Sequence, residues 1–252
     1  VSHQQLKTAL SSLGPDLIDI SSITPTVNSA LQSARVAKEA CPDTKVIMGG
    51  PHTTFLDKEL LSEEAAVDIV VRGEGEQALL ELAQHLLNSE KLGDINGITF
   101  RNSNGQIVKT PDRPFIQNLD DLPRPAYKYV PLQKYKVYGK LNLPIMTSRG
   151  CPYQCSFCVA SQMFGGEYRV RSAKNVVDEM IWLRDEQGAE GISFCDDILT
   201  LDRNRTLAIC EEIKSRKVGL PWGCQTRVDH VPKDVLVKMR EANCQLIHFG
   251  VE

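Results

Sequence analysis

The chain has 252 residues, of which 42% are hydrophobic and 24% charged, and its formal net charge is -3. This length suits one large or two ordinary domains, and we expect two. The weak negative charge argues against a generic binder of nucleic acid or anionic membranes, so specificity must lie in a pocket.

The sequence carries no signal for export or membrane insertion. No apolar run approaches the roughly 20 residues that span a bilayer, and VSHQQLKTAL lacks a charged segment followed by an apolar one. Eight cysteines, without the density of a disulfide scaffold, fit a reducing cytoplasm. The chain begins at Val1 near a predicted helix and stops inside the apolar run LIHFGVE. We therefore expect a piece of a longer protein, cut at both ends.

The first 110 residues alternate strand and helix patterns, which predicts a parallel sheet covered by helices. The predicted strands are DLIDISSI, KVIMGG and DIVV, and the predicted helices are residues 26–40, KELLSEEAA and EQALLELAQHLLN. GITFRNSNGQIVKT predicts a hairpin that turns at Asn104-Gly105. Residues 1–110 thus form an open α/β domain with a hairpin, incomplete at its start.

Residues 111–140 are rich in proline and predict a semi-rigid linker between domains. A second series follows in residues 141–252, with strands LPIMTS, GISFC, PWGCQT and QLIHFG and helices over 172–187, 202–217 and 232–243. Four strands of this kind predict part of a parallel (β/α) barrel, whose active site lies at the carboxyl ends of the strands.

Three cysteines, Cys151, Cys155 and Cys158, occur within SRGCPYQCSFC, directly after the strand LPIMTS. Three thiolates on one loop can hold a compact inorganic centre. Structural zinc sites usually need four protein ligands, and no second cysteine pair has a suitable spacing. Three ligands leave one iron of a four-iron cluster open, and such clusters reach strongly reducing potentials.

The motif CPYQCSFC resembles the cluster motif of radical S-adenosylmethionine (SAM) enzymes. The resemblance implies a TIM-like barrel in which Cys151, Cys155 and Cys158 bind a [4Fe-4S] cluster. In that family the open iron binds S-adenosyl-L-methionine, whose reductive cleavage yields a 5'-deoxyadenosyl radical.

The same resemblance indicates further SAM-binding residues. These are Phe157 near the adenine, Asp196 or Asp197 at the amino group, and Glu252 lining the nucleoside site. An aspartate of FCDDI could instead cap the following helix. Arg227 could bind a carboxylate or form a surface salt bridge, and Arg149 is expected to brace the loop. Cys195, Cys210, Cys224 and Cys244 are expected to be small buried hydrophobes, although Cys195 and Cys224 could face the pocket.

The glycines of the first domain follow predicted strands, where open parallel sheets bind ligands. The ordered set SSITPT, GGPHTTF and RGEGE, ahead of the cysteine motif, resembles a Rossmann-like cobalamin-binding domain. The resemblance implies cobalamin contacts from three loops: Ser21, Ser22 and Thr24; Gly49, Gly50, Pro51, His52 and Thr53; and Gly73, Glu74 and Gly75. His52 does not match the motif that supplies a cobalt ligand, so we interpret it as a loop contact and leave the lower axial ligand open.

The combined resemblance is to cobalamin-dependent radical SAM enzymes, in the branch of the anaerobic magnesium-protoporphyrin IX monomethyl ester cyclase and C-methyltransferases. It implies a cytoplasmic, anaerobic enzyme that methylates or oxidatively cyclises an unactivated carbon of a small molecule. An electron donor such as flavodoxin or ferredoxin is implied. Two alternatives remain: a radical SAM enzyme whose first domain is a cobalamin-free substrate or partner module, and a non-catalytic sensor. The substrate and the oligomeric state lie beyond the sequence.

Overall fold

Two α/β units, residues 1–116 and 117–252, make up the chain in a computed structural model that describes residues 2–88 and 90–251. Each unit is built on its own sheet. None of the helices in the described part of the chain is long and apolar enough to cross a membrane.

The first unit contains a five-stranded sheet in the order β1-β2-β3-β4-β5. The first three strands are parallel, and the last two form an antiparallel hairpin on the edge. The strands are β1 (Leu17–Ser21), β2 (Lys45–Gly49), β3 (Ile69–Val71), β4 (Ile98–Arg101) and β5 (Ile107–Lys109). The helices are α1 (His3–Leu13), α2 (Val27–Ala40), α3 (Pro51–Phe55), α4 (Asp57–Glu63) and α5 (Gly75–Asn88).

Helices cover both faces of β2, which lies between the parallel strands β1 and β3. Val46 and Met48 pack in the cluster that includes α2, whereas Ile47 packs in the cluster that includes α5. A strand covered on both faces reads as a continuous apolar run, which is why KVIMG predicts a strand without alternation. On α2, the buried alanines Ala30, Ala34 and Ala37 recur on one helical face, so this helix can lie close to the sheet.

The stretch GGPHTTF differs from its prediction as a loop, because Pro51–Phe55 forms the short helix α3. Proline is well suited to the first helical position, since its missing N–H would be unpaired there in any case. The hairpin turn lies where the sequence places it, and Gly105 takes a φ of 78°, in the left-handed region that glycine tolerates.

The second unit contains a four-stranded parallel sheet in the order β11-β10-β9-β6. Its strands are β6 (Asn142–Ile145), β9 (Gly191–Phe194), β10 (Trp222–Thr226) and β11 (Cys244–Phe249), and a small antiparallel pair is formed by β7 (Ser148–Arg149) and β8 (Arg169–Val170). The helices are α6 (Ala160–Phe164), α7 (Ala173–Gln187), α8 (Arg203–Ser215) and α9 (Lys233–Glu241). The strand-helix progression is that of a partial barrel.

The core of the second unit lies on one face of this sheet. Phe194 and Trp222 meet there edge to face, with ring centroids 5.2 Å apart, among the apolar side chains of α7, α8 and α9. The opposite face presents exposed residues such as Ser193, Cys195 and Gln225. Burial of Cys195 is therefore a wrong expectation, because the strand alternation places its side chain on this second face. Cys210, Cys224 and Cys244 are buried as predicted.

The proline-rich segment contains three short 3₁₀ helices, Leu119–Asp121, Tyr127–Tyr129 and Leu132–Tyr135. Part of it packs on α7: the Asp120 carboxylate accepts a hydrogen bond from the Ser172 N–H at 2.9 Å, and the Tyr127 and Trp182 rings lie 6.0 Å apart. From residue 117 onward the segment belongs to the second unit, whereas the sequence predicts a linker as far as residue 140.

Candidate active site

The three clustered cysteines lie on a loop that follows β6 and β7. All three line one pocket of about 680 Å³, together with residues from the carboxyl ends of β9, β10 and β11. Cys151 is buried, while Cys155 and Cys158 are partly exposed. Burial raises the pKa of the Cys151 thiol, and the Asp197 carboxylate and the other two thiols add to the rise. A metal ion would reverse this effect, since a coordinating thiol is deprotonated.

A buried carboxylate anchors the residues that precede this loop. Asp196 accepts hydrogen bonds from the Thr147 N–H and hydroxyl, both at 2.5 Å, and from the Ser148 N–H at 2.8 Å. Arg205 of α8 donates to the carbonyl and hydroxyl oxygens of Thr147 at 2.8 and 2.7 Å. Burial raises the pKa of Asp196, and the Thr147 hydrogen bonds oppose that rise. Because both Asp196 oxygens are engaged, we interpret this residue as a support for the loop.

Asp197 has different surroundings from its neighbour. Its side chain is exposed and lines the cysteine pocket, and no hydrogen bond from the described residues reaches its carboxylate. Partial burial raises the pKa of Asp197, and the adjacent Asp196 charge raises it further. The N-cap of α8 is Asp202, which accepts from the Arg205 N–H at 3.0 Å, so neither predicted aspartate caps that helix. Of the two, Asp197 is available to a ligand.

Gly150, directly before the first cysteine, is required by the backbone. Its φ is 88°, and a Cβ at this position would lie 2.1 Å from the Glu167 carbonyl oxygen. The loop can approach residues 165–167 this closely only with glycine. Sequence reasoning missed this residue, although its place beside Cys151 in SRGC is a usable signal.

A second set of contacts joins the cysteine loop to the segment after β10. Arg227 pairs with Asp229 through two hydrogen bonds of 3.0 and 2.8 Å, and its Cζ lies 4.2 Å from the centroid of the Tyr153 ring. The Tyr153 hydroxyl pairs with Nε2 of His230. We name these four residues the Tyr153 clasp. Sequence reasoning identified Arg227 alone, because the contacts of Tyr153 with Arg227 and His230 join residues that are far apart in the sequence.

Two further predicted residues complete this half of the site. Phe157 also lines the pocket, and the residue is 67% exposed. Glu252, the predicted nucleoside contact, lies outside the described residues.

In the first unit, the three predicted loops lie at the carboxyl ends of β1, β2 and β3, and hydrogen bonds connect them. The Thr24 hydroxyl lies 3.1 Å from Nδ1 of His52. The Thr54 hydroxyl donates to the Gly50 carbonyl at 2.9 Å and accepts from the Gly73 N–H at 3.1 Å. Gly50 takes a φ of 98°, and a Cβ there would lie 2.5 Å from the Ser22 carbonyl oxygen.

Several of these loop groups remain available to a ligand. The Ser22 hydroxyl is buried with no hydrogen-bond partner among the described residues, and Ser21 and Thr24 are exposed. Gly73 has a φ of 69°, and no atom of the described chain lies within 4 Å of a Cβ placed on it. An orphaned hydroxyl and an open glycine suit a ligand that approaches the backbone closely, as cobalamin would.

Other members of the predicted set serve the fold. Glu74 is buried, and its carboxylate accepts from the Ile116 N–H at 2.7 Å. Thr53 is also buried and donates to the Gly50 carbonyl at 3.1 Å. Arg72, which begins RGEGE, donates to the Ile98 and Thr110 carbonyls of the hairpin. We therefore interpret Glu74 and Thr53 as supports for the loops, because their polar atoms are engaged inside the unit.

The cysteine pocket can be tested against the kind of centre it would hold. Among residues 2–88 and 90–251, no three His, Cys, Asp or Glu side chains converge on a single ion position. A four-iron cluster does not need such convergence, since each thiolate binds a different iron. Three thiols that line one pocket match the three protein ligands of such a cluster, whereas a structural zinc site usually takes four.

Comparison with known proteins gives two family matches. Residues 1–83 match the B12 binding domain, and residues 145–252 match the radical SAM superfamily. The chain is 37% identical over 238 residues to the uncharacterized methyltransferase PH0819 of Pyrococcus horikoshii, covering 94% of this chain and 52% of that protein. It is 33% identical over 260 residues to the anaerobic magnesium-protoporphyrin IX monomethyl ester cyclase of Rubrivivax gelatinosus, covering 100% of this chain and 46% of that protein.

Two solved structures share the fold. The methyltransferase TsrM from Kitasatospora setae, with cobalamin and a [4Fe-4S] cluster bound, matches with a TM-score of 0.82 and 21% identity, over 99% of this chain and 52% of TsrM. The cobalamin-dependent enzyme OxsB, with aqua-cobalamin and S-adenosylmethionine bound, matches with a TM-score of 0.78 and 20% identity, over 100% of this chain and 37% of OxsB. The chain spans about half the length of the curated relatives it matches.

Proposed function

The chain belongs to the radical SAM enzymes that carry an amino-terminal B12-binding domain, and from this premise we propose that it methylates or oxidatively cyclises an unactivated carbon of a small molecule. The cofactors would be a [4Fe-4S] cluster, S-adenosyl-L-methionine and cobalamin. We also propose a cytoplasmic location in an oxygen-poor cell, with a low-potential flavodoxin or ferredoxin as the electron donor.

The observation that carries this proposal is the cysteine pocket at the carboxyl end of the second sheet. Cys151, Cys155 and Cys158 would hold three irons, which leaves the fourth for S-adenosyl-L-methionine. Asp197 lines the same pocket, and its carboxylate could form a charge-assisted hydrogen bond with the ammonium group of SAM, whereas Asp229, which also lines the pocket, is paired with Arg227. Phe157 offers an exposed ring to the adenine. When bound, the cofactors supply the electron-transfer and radical chemistry that protein side chains lack.

The protein groups of this pocket would bind and orient the cofactors. Asp196 and Arg205 fix Thr147 and Ser148, so the first cysteine starts from a rigid position. Arg227 stays a predicted carboxylate contact, but its guanidinium is already paired with Asp229. A ligand carboxylate would have to share or displace that pair.

In the first unit, we propose that the cobalamin contacts come from the groups with free polar atoms or an open approach. These are Ser21, Ser22, Thr24, His52 and Gly73, with Gly49, Gly50, Pro51 and Gly75 shaping the loops around them. Hydroxyls and backbone N–H groups can satisfy the amide arms and phosphate of such a ligand. Glu74 and Thr53 would not contact cobalamin but would hold the loops in place.

The test is anaerobic reconstitution of the full-length protein with iron and sulfide. We expect a brown protein that cleaves S-adenosyl-L-methionine to 5'-deoxyadenosine with dithionite and that binds cobalamin stoichiometrically. Cys155→Ala should abolish cleavage. Cys195→Ala is the matched control, because this exposed thiol lies outside the three-cysteine loop. A colourless wild type, or a Cys155→Ala variant with full cleavage, would refute the proposal.

The choice between methylation and cyclisation needs a product measurement, because relatives named for both reactions match the chain. S-adenosyl-L-methionine labelled in its methyl group distinguishes them. Label in the product, detected by mass spectrometry, supports methyl transfer, and an unlabelled product with a new ring supports cyclisation.

A further inference from the structure

In the Tyr153 clasp, the cation Arg227 is held by its neighbours at the cysteine pocket. Two nitrogens of Arg227 donate to the Asp229 carboxylate, and its Cζ lies over the Tyr153 ring, 4.2 Å from the centroid. Tyr153 lies two residues from both Cys151 and Cys155, and its hydroxyl is held by His230. The cation is thereby tied to the loop that carries the cysteines.

The second unit offers another Arg–Asp pair for comparison. Arg203 of α8 donates to Asp234 of α9 through Nε at 3.1 Å and a terminal nitrogen at 2.5 Å. Both side chains of this pair are about half exposed, and neither lines the cysteine pocket. The Arg203–Asp234 pair therefore has the same charges as the Arg227–Asp229 pair but lies away from the cysteines. Surface ion pairs of this kind contribute little to folding stability by themselves.

The electrostatics near the cysteines favour a permanent positive charge. The Asp229 hydrogen bonds raise the pKa of Arg227, and the charges of Tyr153 and Cys155 raise it further. Arg227 and Cys155 line the same pocket, which places the guanidinium near the thiols that would bind the cluster. A cation beside an iron-sulfur centre favours the reduced state, which carries one more negative charge.

We propose that the clasp sets the reduction potential of the cluster, with Arg227 as the cation that raises it and Tyr153 and Asp229 as the positioning residues. The inference rests on the proposed function, because it needs the cluster that the three cysteines would hold. The clasp holds the charge at one place through a stacked ring and a carboxylate. Asp229, which carries the opposite charge, limits the size of the effect.

This role differs from that of a carboxylate contact for S-adenosyl-L-methionine. A residue that only binds the SAM carboxylate changes the affinity for SAM and leaves the potential of the SAM-free cluster unchanged. A clasp changes the potential before SAM is added. It also responds to substitutions at Tyr153 and Asp229.

The experiment uses the full-length protein, reconstituted anaerobically and free of SAM, in a redox titration followed by electron paramagnetic resonance. We expect Arg227→Met to lower the midpoint potential and Asp229→Asn to raise it. Each should change the reduction equilibrium about tenfold, which is about 59 mV for a one-electron couple. Tyr153→Leu should lower the potential, whereas Tyr153→Phe, which keeps the ring, should stay near the wild type.

The control variants are Arg203→Met and Asp234→Asn, which change the same charges away from the pocket. They should leave the potential unchanged. Iron content and SAM affinity are measured for every variant. Asp229→Asn keeps the shape of an exposed side chain. The sign of the change in its midpoint potential therefore tests the clasp role even if Arg227→Met fails to bind iron.

Shifts of Arg227→Met and Asp229→Asn that have the same sign, or that match the control variants, would overturn the clasp role. An unshifted potential with weakened SAM binding in Arg227→Met would overturn it in favour of a carboxylate contact. A wild type that takes up no iron would overturn the proposed function as well. A wild type that forms 5'-deoxyadenosine with dithionite, alongside unshifted variants, would overturn the clasp role alone.

Discussion

Replacement of Gly150 by alanine should displace the cysteine loop. The new Cβ would lie 2.1 Å from the Glu167 carbonyl oxygen, whereas real Cβ atoms essentially never approach closer than 3.0 Å, so the gap must open by about 0.9 Å. The residue would also keep a φ of 88°, which costs a non-glycine residue about 1–3 kcal/mol. Overpacking adds about 1–3 kcal/mol. The cost to the native loop conformation is then about 2–6 kcal/mol.

Since each 1.4 kcal/mol is a factor of ten, the lower value already weakens cluster binding about 30-fold. The assay is iron and sulfide content per chain after anaerobic reconstitution, with the melting temperature of the apoprotein measured in parallel. The control is Gly166→Ala in the adjacent segment, because no atom of the described residues lies within 4 Å of a Cβ there and its φ is not in the left-handed region. A Gly150→Ala protein with wild-type iron content and melting temperature would refute the argument.

Four further substitutions test other parts of the molecule. Asp196→Asn should lower iron content, since an amide cannot accept all three hydrogen bonds, whereas Asp197→Asn should keep the iron and weaken binding of S-adenosyl-L-methionine, measured by calorimetry. Ala34→Leu should destabilise the first unit by about 1–3 kcal/mol in urea unfolding, because the fully buried α2 face has no room for the added methyl groups. Burial raises the pKa of Asp57, but hydrogen bonds from Thr99 and Lys109 outweigh burial, and the net pKa in the folded protein lies below 3.8. The ionised carboxylate therefore stabilises the fold above pH 3.8, and this stabilisation is lost as the pH falls below that value. Asp57→Asn should flatten the dependence of the unfolding free energy on pH in this range.

The sequence predicts most strands and helices of both units because their signals are local. Runs such as KVIMG and alternating segments such as WGCQT depend on residues a few positions apart. The spacing of Cys151, Cys155 and Cys158 is also local, so the loop can be recognised before the fold is known. Prediction fails where distant residues decide the outcome: the segment from residue 117 packs on α7, and Tyr153 pairs with His230.

The two aspartates of FCDDI show a case where the sequence holds more information than the motif. Carrying the alternation of β9 past its end places Asp196 on the buried side with Ile192 and Phe194, and Asp197 on the exposed side with Cys195. The pattern therefore separates them. It does not reveal that Thr147 and Ser148 occupy the buried carboxylate, because those residues come from another strand end.

The Thr54 hydroxyl, which serves the Gly50 carbonyl and the Gly73 N–H together, has a consequence for how this sequence can drift over evolution. A single oxygen here bonds two backbone groups on separate loops; valine, its nearest isostere, would remove the bond to the Gly73 N–H, whereas the Gly50 carbonyl would keep the Thr53 hydroxyl. Related proteins that keep this geometry should therefore accept serine at position 54 and should lack aliphatic residues there.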